Sequence, residues 1–112
     1  MEVDAALLGR VRALLDGHGL IEERMFGAPA FSLGGHVAVA LRPEGLVARL
    51  GTGNDGWALA KDGVSTWGAP GRTKPGWVVL APFLAATPLV ERVVTEALAY
   101  VRALPPKPCR GD

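Results

Sequence analysis

The sequence predicts an α+β domain: a two-layer sandwich, with an antiparallel sheet and helices packed mainly on one face. Three observations predict it. The 112 residues are 49% hydrophobic, enough for one core and too few for two. A segment near each end carries apolar residues at helical spacing. Between them lie short apolar runs whose connections are too short for a parallel crossover.

Leu7, Leu8, Val11, Leu14 and Leu15 form the stripe of a first helix, with Asp4 as its cap and Gly17 or Gly19 at its end. Residues 21–26 read as a first strand and residues 30–33 as a second. Gly34-Gly35 signals a tight hairpin. In residues 36–41, strand alternation puts Val37, Val39 and Leu41 on one face and Ala38 and Ala40 on the other. Pro43-Glu44-Gly45 turns the chain into residues 46–50. A short helix through Trp57, Ala58, Leu59 and Ala60 follows, capped by Asn54 or Asp55. Residues 63–76 are rich in Gly and Pro and read as a long loop. Residues 77–80 are the last strand, ended by Pro82. Thr87 caps the final helix, Pro88 opens it, and Val90, Val94, Ala97, Val101 and Leu104 are its buried stripe. Pro105-Pro106 stops it. The domain is thus expected over residues 1–106, with residues 107–112 a flexible polar tail.

Charge and cysteine usage narrow the function classes. Twelve basic and eleven acidic side chains give a formal net charge of +1, which argues against strong direct nucleic-acid binding. No apolar run is long enough to span a membrane. The start, Met1-Glu2-Val3-Asp4, is acidic where a secretory signal is basic, and the lone Cys109 forms no internal disulfide. A cytoplasmic location is the expectation.

No catalytic, cofactor or metal constellation stands out. Cys109 has no histidine near it in sequence, and Ser32 and Ser65 lack a nucleophile elbow. His18 and His36 have no ligand spacing. Gly51-x-Gly53-x-x-Gly56 matches dinucleotide-loop spacing but follows an antiparallel meander, so a turn with a helix cap is the better reading. The segment around Arg72, Lys74 and Trp77, with Trp67 shortly before it, is the strongest candidate surface. Cations beside aromatic rings suit an anionic ligand or a partner protein.

Met25-Phe26-Gly27 is followed by Phe31 and Gly35. Leu46 and Arg49 come next, then Gly76-Trp77-Val78-Val79 and a long last helix ending at Pro105. This pattern resembles the N-terminal domain of the TfoX/Sxy family over nearly the whole chain. The resemblance implies an order close to α-β-β-β-α-β-β-α. It also implies a context, since two-domain members regulate natural competence genes as co-regulators in bacteria. The chain ends soon after that first domain, and the resemblance brings no catalytic residues with it. Met25, Phe26 and Gly27 read as a structural hairpin signature, with Gly27 allowing a bulge or tight bend.

The leading expectation is a non-enzymatic regulatory or protein-interaction domain, without cofactor, whose partner is another protein or a second copy of the chain. The alternative is a small-ligand or anion-binding domain with Arg49, Arg72 and Lys74 around a pocket. Third is an enzyme using His36 and distant acids.

Overall fold

The first helix, α1 (Ala5–Leu15), opens as its cap residue predicts: the Asp4 carboxylate accepts a hydrogen bond from the Leu7 amide at 2.8 Å. The computed structural model describes residues 3–25, 27–69 and 71–105. After α1 come β1 (Ile21–Met25), β2 (Ala28–Leu33), β3 (His36–Arg42), β4 (Gly45–Arg49), the short α2 (Gly56–Leu59), β5 (Val64–Ala69), β6 (Arg72–Leu80), a 3-10 turn (Pro82–Leu84) and α3 (Pro88–Ala103). The strands form one antiparallel sheet in the order β1-β2-β3-β4-β6-β5. This is the α+β sandwich the sequence predicts, with the four strands read before α2 where the order implied by the resemblance has three. The expected tail lies outside the described residues.

One sheet face holds the core. Phe31, Val39, Leu41, Leu46, Ala48, Val78 and Leu80 are buried against Leu7, Val11 and Leu15 of α1 and Val90, Val93, Val94, Ala97 and Val101 of α3. Leu8, Leu14 and Leu104 pack against this cluster only in part. Trp57 of α2 also leans on it, with the Arg92 guanidinium carbon 4.1 Å from the ring centroid. Thr87 is the α3 N-cap residue and Pro88 opens the helix, as expected, but the Thr87 hydroxyl donates to the Leu84 carbonyl at 2.7 Å instead of accepting from a first-turn amide.

Two expectations for the strands are corrected. Residues 63–76 are no loop: they contain β5 and the first half of β6, paired from Val64↔Leu80 to Ala69↔Arg72. The ladder slips between Thr66 and Gly68, and Pro75 sits in this irregular stretch, where its missing amide costs least. Likewise Val37 does not share a face with Val39 and Leu41. The β2–β3 register runs Phe31↔Val39 and then Ser32↔Val37, so an extra residue bulges from β3. Ala38 joins the core, while Val37 lines a groove on the other side with Ala40.

Candidate functional site

The face of the sheet opposite α1 and α3 carries no helix among the described residues. Alternation along β6 sends Val78 and Leu80 into the core and Trp77 and Val79 to this open face. In the neighbouring β4, Arg49 is the direct cross-strand partner of Trp77. Trp67 occupies the irregular position of β5, and its ring centroid lies 5.3 Å from that of Trp77 at 45°. Lys74 Nζ sits 5.3 Å from the Trp67 centroid. The Arg49 guanidinium carbon is 5.6 Å from the Trp77 centroid and 5.3 Å from that of Tyr100 on α3. The two indoles thus form a pair with a cation beyond each member.

Beside the pair opens a groove of about 220 Å³, lined by Val37, Ala40, Arg42, Val47, Trp67, Lys74 and Trp77. A wider, shallower depression of about 510 Å³ along Ser65, Thr66 and Val79 also reaches Trp67, and Glu44 lies there. The structure therefore brings Trp67, Lys74, Arg49 and Trp77 together. Arg72 is exposed at the β5–β6 turn and makes no described contact with the aromatic pair. Sequence reasoning missed Arg42 and Val37. Arg42 follows Ala40 by two and so shares its face, a signal that reading residues 36–41 alone cuts off.

Trp77 is half-buried and outside the core cluster, whereas Phe31 is 4% exposed and inside it. The two rings do not share a core. Phe26 lies outside the described residues, and Met25 is described only as the end of β1. Gly27 forms the β1–β2 turn, where its carbonyl accepts from Arg24. Gly34-Gly35, both at positive φ, close the β2–β3 hairpin.

Gly51, Gly53 and Gly56 belong to a backbone-docking loop. The Gly76 carbonyl accepts from the amides of Leu50 at 2.7 Å and Gly51 at 3.2 Å. In return the Gly76 amide donates to the Asp55 carboxylate at 3.2 Å. Asp55 sits at the α2 cap position, yet its side chain serves β6 instead.

The histidines also have structural partners. His36 Nε2 is 2.8 Å from the Pro105 carbonyl, and Arg102 donates to the His18 carbonyl at 3.2 Å. Among the described residues no three His, Cys, Asp or Glu side chains converge as metal ligands, and no helix is long and apolar enough to cross a membrane. Cys109 lies outside the described residues. The fold and this face define a class only: a helix-backed antiparallel sheet with an open aromatic and cationic face. No protein-family model, curated protein or solved structure matches the chain.

Proposed function

We propose that the chain is a non-enzymatic regulatory domain that works by holding another protein, like the N-terminal domain of the TfoX/Sxy regulators it resembles. The observation that carries this reading is the half-buried Trp67–Trp77 pair on a helix-free sheet face. Tryptophan and arginine are enriched among the anchor residues of protein interfaces.

The arginines of the long helices support action through a protein rather than through DNA. Arg10 donates to the Ala85 carbonyl, Arg12 pairs with Glu22, Arg92 lies over Trp57 and Arg102 binds His18. Little cationic helix surface is left for phosphates.

A deletion strain and a strain carrying Trp67→Ala test the reading by transcript profiling in the native bacterium. The expected result is a defined set of altered transcripts in the deletion, reproduced by Trp67→Ala at unchanged protein level. An unaltered profile in the deletion overturns the regulatory role.

A further inference from the structure

We infer that the groove beside Trp67 and Trp77 takes an acidic peptide segment of a partner protein, anchored by one aliphatic side chain. The inference rests on the protein-interaction reading and specifies the chemistry of the partner.

Size and lining argue for a side-chain anchor. The groove volume of about 220 Å³ falls below the roughly 300–1,000 Å³ of small-molecule pockets. Its walls are Val37, Ala40, Val47 and the two indoles. A leucine-sized group would bury much of its apolar surface there, which favours an aliphatic anchor.

Charge argues for acidic flanks. Arg42 and Lys74 line the groove and Arg49 lies beyond Trp77. Among the described residues none of the three forms a salt bridge, whereas Arg12 does. Arg42 Nε is buried with no hydrogen-bond partner among those residues, so this guanidinium has no internal anion to neutralise it. One acid, Glu44, lines the neighbouring depression rather than this groove.

Single-stranded nucleic acid fits less well. A base stacks on a free ring face, but Lys74 already lies over Trp67 and Arg49 over Trp77.

Tryptophan fluorescence of the full chain tests the inference with four probes. These are a peptide of one leucine flanked on each side by three glutamates, its leucine-to-alanine version, its glutamate-to-lysine version, and a ten-nucleotide thymidine strand. The glutamate–leucine peptide should give a saturable shift, weakened about tenfold or more by either change of the peptide. Lys74→Glu, at an exposed position, should weaken it about fivefold while shifting the denaturation midpoint only by the loss of one exposed cation–π contact. Equal binding of the lysine-flanked peptide overturns the acidic partner but leaves the protein-interaction reading standing. Preference for the thymidine strand overturns both. The absence of a saturable shift at millimolar peptide overturns the inference alone, because the transcript profile tests the regulatory role separately.

Discussion

Arg49 and Trp77 face each other across β4 and β6, with the guanidinium carbon 5.6 Å from the indole centroid. This pair is the middle of a longer series. Lys74, Trp67, Trp77, Arg49 and Tyr100 follow one another at spacings of 5.3, 5.3, 5.6 and 5.3 Å. The series begins near the sheet edge at β5 and ends on α3. Arg49 is therefore the mechanical link between the open face and the helix layer.

That link is measurable. Arg49→Ala and Tyr100→Ala should each destabilise the chain, and their double-mutant cycle should give a coupling of about 0.5–1 kcal/mol, the size of a partly exposed cation–π contact. Arg49→Lys should recover only part of it, because an ammonium cannot stack in a planar way on two rings. Urea denaturation reads both. Additive single effects would show that the two side chains do not interact.

Phe31 and Trp77 should separate stability from surface. Phe31 is 4% exposed in the core, so Phe31→Ala should cost about 3–5 kcal/mol. Trp77 is half-buried on the open face, and Trp77→Ala should cost less, about 1–2 kcal/mol. A larger loss for Trp77 than for Phe31 in equilibrium denaturation would contradict the assignment of faces.

Gly76 is a position where a side chain is poorly tolerated. Its φ is +85°, and a Cβ there would lie 2.6 Å from the Gly51 carbonyl carbon and from the Thr52 amide nitrogen. Both are backbone atoms that cannot swing away, so Gly76→Ala should destabilise by about 2 kcal/mol or more. Gly9 is the opposite case. It is exposed within α1 with nothing within 4 Å of its Cβ direction, and Gly9→Ala should stabilise by about 0.5–1 kcal/mol. Thermal or urea midpoints moving in the same direction for both variants would refute this contrast.

These particulars show what was legible in the chain. Helices α1 and α3 were, because burial of one helix face repeats every third or fourth residue and Asp4 and Pro88 mark their starts. Strand β5 was not. Ser65 and Thr66 are exposed near the sheet edge, so only Val64 and Trp67 carry a strong apolar signal amid Gly and Pro. The β3 bulge was not legible either, because it is set by register against Ser32 on another strand. Trp67, Lys74 and Arg49 could be named from their chemistry. That they meet depends on the β4–β6–β5 pairing, which a local pattern does not encode. Trp77 was legible as surface, because Val78 and Leu80 alternate against it into the core.

The Arg12–Glu22 contact gives a pH signature. Glu22 accepts from Arg12 at 2.6 Å, and the hydrogen bond holds its carboxyl below the ordinary 4.5. A depressed folded value means the carboxylate binds its proton less readily in the folded chain than in the unfolded one. The contribution is therefore full above about 4.5 and is lost as pH falls through the folded value. Wild type should be slightly more stable than Glu22→Gln at neutral pH, and the two should converge in acid. Both side chains are substantially exposed, so the gap should be small and shrink with salt. A gap that widens on acidification would reverse the sign and refute the pairing.

Direct DNA binding by the isolated chain should be weak and unselective. Sequence readout in the major groove needs side chains that project from one helix or ribbon towards base edges. Arg10, Arg12, Arg92 and Arg102 of the long helices are each engaged within the chain, at Ala85, Glu22, Trp57 and His18. Releasing them would cost those contacts before any phosphate was gained. Arg42, Lys74 and Arg72 remain on the sheet side, too few for a steep salt dependence, since each phosphate neutralised contributes only about 0.9 to the slope of log K against log salt. Fluorescence anisotropy with a labelled duplex at physiological salt should give at best micromolar affinity, with a slope of magnitude near 3 or less. Nanomolar affinity for one duplex over a scrambled one would show that the helices release their arginines to DNA and that the chain reads base sequence itself.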